Sequence, residues 1–146
     1  MGGLKLKNKG YSLIEVLIAM SILTVGILAV ISMQSTALKI QSRNKISATM
    51  QLINQEILEK IIANASDDQT ILSYSGIKTY DSSTKPTTSP ADNDFEYFKT
   101  LLAPYPGAWA EVNVTNTRPY PVKIIVHWKD GAINHKLEYG TYILPH

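Results

Sequence analysis

The chain contains no cysteine, so no disulfide staples any part of it. Proline does not occur before Pro86, and Gly26 is the single glycine between Tyr11 and Ala65. Those are the residues that break helix interiors, so a long helix meets no obstacle over this span. Charge is missing as well, since Val16 to Leu38 holds no acidic or basic side chain. Such an uncharged apolar run is long enough to cross a bilayer as a helix. Catalytic patterns are equally scarce. The three histidines, His127, His135 and His146, have no cysteine or HExxH-type partner, and no GxxxxGK[ST] phosphate loop occurs. No nucleophile and base are assembled, and no catalytic residue, cofactor or metal is expected. The net charge of +2 is spread without a basic stripe, so nothing advertises nucleic-acid binding.

What is present begins with Glu15, the one carboxylate near the start of the apolar run. Burying a carboxylate in hydrocarbon is costly unless a partner neutralises it, which makes Glu15 a candidate functional residue. A cut after Gly10 would create that partner, because Tyr11 would then carry an α-ammonium four residues away. Lys5, Lys7 and Lys9 precede the cut. Positive residues stay on the cytoplasmic side, which would orient the anchor with the C-terminal part outside. Their removal takes the charge count from 14 against 12 to 11 against 12.

The string Gly10-Tyr11-Ser12-Leu13-Ile14-Glu15-Val16-Leu17-Ile18-Ala19 closely resembles the class III signal of type IV prepilins. In that family an inner-membrane aspartic peptidase removes a short basic leader after glycine and methylates the new terminal amine. The resemblance implies that Gly10 is the cleavage point, Tyr11 the N-methylated first residue and Glu15 the assembly carboxylate. Two other readings compete. A secretory signal would use the three lysines as its n-region and Ser35-Thr36-Ala37 as its cut site, but Glu15 would interrupt its apolar core. A plain signal anchor would tolerate Glu15 near the interface, where it snorkels.

From Tyr11 to about Ala65 the sequence reads as one helix. Its first half is apolar all round, which suits lipid or the core of a helical bundle. In the second half Ile46, Met50, Ile53, Ile57 and Ile61 recur at three- and four-residue spacings, and Leu58, Ile62 and Ala65 widen the stripe. Asn64 to Asp68 ends the helix, and Asp67-Asp68 and Asp92-Asn93-Asp94 read as acids in solvated loops. Residues 76–94 read as a solvated loop. A short helix then starts with Asn93 as N-cap and Glu96 closing a capping box, and Pro104 and Pro106 stop it. Alternation places strands over 110–115 and 122–129, with a return strand from Ala132 to about Ile143. Asp130-Gly131 predicts a type I′ hairpin turn, pairing Trp128 with Ile133 and Ile124 with Leu137. That register sets His135 beside Val126, either at a sheet margin or in an irregular hairpin. The tyrosines are expected to pack mostly under loops.

The predicted fold is therefore α+β: a pilin-like lollipop, with a long N-terminal helix packed by its second half on a small antiparallel sheet. Residues 1–10 form the leader, 11–38 the transmembrane or filament-core helix, and 39–146 the periplasmic or extracellular head. Trp109, Val112, Val114 and Ile124 to Gly131 resemble the last strands of the pilus-modification, or V-type, minor pilins. Gly26 to Ala29 and Gln34 to Leu38 are similar to that group too. Departures are the missing disulfide of many major pilins, the missing helix proline, and Pro104-Tyr105-Pro106-Gly107 where many members have leucine-proline-glycine-glycine. The resemblance implies a structural subunit of the bacterial inner membrane and then of a pilus. Its partners would be other minor and major pilins, prepilin peptidase, the inner-membrane assembly machinery and, before assembly, membrane lipid. Motility, adhesion and DNA uptake would be downstream outputs. The alternatives are a minor pseudopilin of a type II secretion system and a tethered periplasmic domain that never enters a fibre.

Overall fold

Helix α1 spans Leu13–Asn64, 52 residues or about 78 Å at 1.5 Å per residue. The computed structural model describes residues 13–145. It divides into two compact units that meet between Ser42 and Arg43, with α1 contributing to both. In the first unit every described residue is exposed. The most apolar stretch of α1 has a mean hydropathy of 2.6, and none of it is buried. The helix continues through Gly26 and Ser32 without interruption.

The second unit has its own core. After α1 come α2 (Asp68–Leu72), β1 (Ile77–Lys78), a 3-10 turn at Ser82–Thr84, α3 (Ala91–Leu102), β2 (Trp109–Val114), β3 (Tyr120–Asp130) and β4 (Ile133–Ile143). The four strands form one antiparallel sheet in the order β1-β2-β3-β4. Met50, Ile53, Ile57 and Ile61 of α1 join Phe95 and Phe98 of α3 in a single buried cluster. The sheet contributes its alternate residues, Ala110, Val112 and Val114 from β2 and Val122, Ile124 and Val126 from β3. Fully burying a side chain of this size stabilises by roughly 1.5–3 kcal/mol, so this cluster is the main cohesive force of the unit.

Several expectations need correction. Ile62 does not widen the stripe, because it remains 41% exposed; Leu58 and Ala65 are buried as expected. Asn54 takes a core position instead, only 2% exposed and with neither side-chain polar atom hydrogen-bonded among the described residues. Residues 76–94 are not a bare loop. They hold β1, the 3-10 turn and the start of α3, fixed by side-chain bonds to backbone that leave no periodic signature. The Thr84 hydroxyl accepts from Lys78 N–H at 2.9 Å, and the Thr79 hydroxyl accepts from Ala110 N–H at 2.9 Å. Helix α3 begins two residues before Asn93, at Ala91. Pro90 is its N-cap, with no side-chain capping bond. Proline suits a helix start because its missing N–H would find no intrahelical acceptor there. Glu96 therefore closes no capping box, and pairs with Lys85 at 2.9 Å.

The β3–β4 register also differs. Asp130 pairs with Ile133, Trp128 with His135, Val126 with Leu137 and Ile124 with Tyr139. The loop is Gly131-Ala132, one residue later than expected. Gly131 has φ +61°, and no other residue type takes a positive φ among the described residues. A type I′ turn on Asp130-Gly131 would need positive φ at both positions. Asp130 stays in the strand, where Arg43 Nε lies 2.6 Å from its carboxylate. The pairing slips by two places, which preserves the faces, so the inward residues of β3 remain inward. His135 lies at the hairpin end of the sheet, stacked on Trp128 at 5.4 Å.

Two substitutions test this core by urea unfolding. Ile57→Ala should lower stability by about 2–5 kcal/mol, while Ile62→Ala should cost under about 1 kcal/mol. Asn54→Leu should raise stability by about 1–3 kcal/mol, since it removes a buried amide with no hydrogen-bond partner among the described residues.

Candidate functional site

Glu15 sits in the first turn of α1, where the helix dipole favours an acid. Gly10 and Tyr11 lie outside the described residues. Beyond Glu15 three hydroxyl side chains of the apolar segment turn back on their own helix. The hydroxyls of Ser21 and Thr24 donate to the carbonyls of Leu17 and Met20 at 2.8 and 2.7 Å, and Thr36 does the same to Ser32 at 3.1 Å. Their donors are satisfied locally, so they do not prevent the surface from entering an apolar medium.

In the second unit, charge is concentrated in one buried carboxylate. Asp94 of α3 is 3% exposed and accepts from Tyr74 Oη at 2.5 Å and from Asn64 Nδ2 at 2.7 Å. Lys60 Nζ stands 3.9 Å away and also lies over the Tyr97 ring, 5.1 Å from its centroid. Tyr97 Oη bonds Glu56 as well. Burial, reinforced by the Asp94 carboxylate, raises the Tyr74 phenol above the usual tyrosine range. The cluster joins the last turns of α1 to the segment after α2 and to α3. Its hydrogen bonds tie these three segments together.

The acids read as loop residues are thus placed otherwise. Asp92, Asn93 and Asp94 lie within α3, and Asp67 is the N-cap of α2, accepting from Thr70 N–H at 2.7 Å. That bond holds the Asp67 carboxyl below its ordinary pKa. Among the described residues no group of three or more His, Cys, Asp or Glu side chains converges as a metal site would require. His127 and His135 belong to β3 and β4.

On the sheet face away from the core, Trp109 stacks on His127 with ring centroids 3.8 Å apart, and Tyr80 meets Trp109 edge-on at 4.6 Å. Burial pushes the His127 imidazole below its usual pKa. The tyrosines are less buried than expected. Tyr74 and Tyr120 are buried, but Tyr80, Tyr97, Tyr139 and Tyr142 are exposed. Alternation places a tyrosine on a face of a strand, but whether that face is covered depends on the packing above it.

Residues 5–31 match the family model described as the prokaryotic N-terminal methylation motif. That stretch contains Gly10, Tyr11 and Glu15 and runs into the apolar part of α1. No match is found among curated proteins or among solved structures. The motif, with the apolar helix behind it, supports a type IV pilin-like protein of a pilus or pseudopilus. In general terms it implies processing by a prepilin peptidase and association with pilins. It also fits anchoring in the inner membrane before passage into a pilus.

The Asp94 cluster predicts an alkaline weakness. A phenol whose pKa is higher in the folded than in the unfolded state stabilises fully below the unfolded value. That contribution is lost as pH rises above 10.0 toward the folded value. Tyr74→Phe should lower thermal stability at neutral pH and flatten the decline above pH 10.0, read from melting temperatures across that range.

Proposed function

We propose that the chain is a minor pilin, a structural subunit that takes part in assembling or priming a type IV pilus. The observation that carries this reading is the methylation motif over residues 5–31 running directly into an apolar, uncovered helix surface. In this reading residues 1–10 are a leader held in the cytoplasm by Lys5, Lys7 and Lys9. Residues 11–38 are the membrane and filament-core segment, and 39–146 the head on the periplasmic side. Val126, Trp128 and Asp130 in the last hairpin support the V-type subgroup.

The roles of the N-terminal residues follow from this reading. Gly10 lets the peptidase approach the scissile bond, because a side chain there would not fit. Tyr11 becomes the methylated amino terminus. The helix then leaves lipid for a bundle of similar helices, where neighbouring subunits keep its apolar surface covered. Inside such a bundle the Glu15 carboxylate neutralises the Tyr11 ammonium of a neighbour and sets the axial register. Removing one partner of a buried ion pair costs about 3–5 kcal/mol, enough to decide whether a subunit is retained. The partners are other minor and major pilins, the peptidase and the inner-membrane assembly machinery.

Intact mass and N-terminal sequence of the chain from sheared surface filaments test the proposal. The expected product begins at N-methylated Tyr11. Mature chain confined to the membrane fraction would favour a pseudopilin or a tethered domain, and a start after Ala37 would refute the prepilin pathway. Glu15→Ala should mature and stay in the membrane yet incorporate poorly. Substitution of Gly10 should leave the leader attached.

A further inference from the structure

The sheet has two unlike edges. One is β1, only two residues long, Ile77 and Lys78. The other is β4, eleven residues paired one-to-one with β3 and interrupted by no bulge or proline. Exposed edges of this length invite pairing with another chain unless something blunts them. The one lysine of β4 that would do so, Lys136, lies 4.0 Å from Glu138 on the same face.

The backbone groups that face outward can be identified. Thr115 N–H donates to the Pro121 carbonyl at 3.0 Å, so Pro121 directs its backbone toward β2. Strand residues alternate, so Val122, Ile124 and Val126 direct theirs toward β4, and their partners Thr141, Tyr139 and Leu137 answer them. The remaining residues of β4 therefore point N–H and C=O away from the sheet: Asn134, Lys136, Glu138, Gly140 and Tyr142. Side chains agree: β4 gives the buried core only Ile143, with Leu137 half-buried against it, whereas Tyr139 is 46% and Tyr142 72% exposed.

We propose that β4 is a strand-addition edge that receives an extended strand from a different pilin-like subunit, running antiparallel to it. This inference rests on the pilin reading above. Subunits that enter a fibre from one membrane share a direction. With four alternating strands the two edges of the sheet run in opposite senses, so a like-oriented neighbour offering its β1-side edge meets β4 antiparallel. A second copy of this chain fits poorly. Its β1 edge covers two residues of the eleven, antiparallel β4–β4 pairing would invert one head, and parallel pairing would set Lys136 near Lys136. The fitting strand carries an acid opposite Lys136 and a base opposite Glu138, with apolar residues beside Leu137 and Tyr139. Main-chain bonds supply affinity and these side chains supply choice of partner.

The test is made in the bacterium that produces the full chain, measuring its amount in sheared filaments. Lys136→Pro removes an outward N–H without removing a hydrogen bond to β3, and should cut incorporation roughly tenfold, while Lys136→Gln, which loses the charge but keeps the amide, changes it far less. Equal incorporation of the proline variant overturns the inference while leaving the minor-pilin reading intact. Absence of the unmodified chain from filaments overturns both. Should the proline variant not fold, hydrogen exchange of the unmodified chain decides: amides of residues 134–142 should exchange roughly tenfold more slowly in filaments than in detergent-purified protein. Unchanged exchange would refute strand addition. Because the chain has no cysteine, Leu137→Cys reports self-pairing directly. A disulfide-linked homodimer would overturn the assignment to a different subunit, and its absence is expected.

Discussion

An apolar helix face has to be covered, and α1 meets that demand in two ways along one element. From Arg43 onward the demand is confined to a stripe, and the sheet with α3 answers it through Met50, Ile53, Ile57 and Ile61. From Leu13 to Ser42 the apolar residues surround the helix, and every described residue there is exposed. Only a medium or a set of neighbours from outside can cover them. The pilin reading is the account in which that outside partner changes, from lipid to a bundle of like helices. An exchange between two apolar surroundings moves little hydrophobic free energy. In that reading polar register decides position, and Glu15 is the carboxylate proposed to set it.

The second unit solves a related problem without disulfides. A small sheet covered on one face by two helices needs the helices fixed relative to each other. Asp94 does this by accepting from Tyr74 and Asn64 at once while lying near Lys60. A buried carboxylate of α3 that bonds both α1 and the segment after α2 rigidifies more than a scattered set of surface ion pairs, which contribute about 0–1 kcal/mol each. The same economy leaves β4 outside the buried cluster over most of its length. The core closes on α1, α3 and β1 to β3 with Ile143 alone from β4, so most of that strand is left exposed.

Much of the fold was legible because period and punctuation agree. The stripe in α1, the alternation in β2 and β3 and the glycine after Asp130 each encode local geometry directly. Legibility failed where polar side chains did the structural work. Thr79 and Thr84 build the β1 region by bonding backbone, and serine- and threonine-rich sequence gives no period to reveal it. The hairpin differs by two places: Asp130 stays in the strand beside Arg43, a residue far away in the chain, and the loop moves to Gly131-Ala132. Ile62 fell outside the buried face and Asn54, which no pattern singled out, fell inside it, because a stripe fixes a helix face only to within a residue or so. Of the candidate site, Glu15 was placed by its chemistry and spacing, while the Asp94 cluster was hidden among acids that looked like loop.

The amino-acid sequence by itself determined the long helix, the N-terminal signal and the antiparallel strands, since each depends on neighbours a few residues apart. Tertiary structure alone decided which carboxylate is buried, which tyrosines face solvent and which sheet edge stays open. Those outcomes depend on contacts between residues distant in the chain, where burial and hydrogen bonding are settled by packing rather than by local pattern.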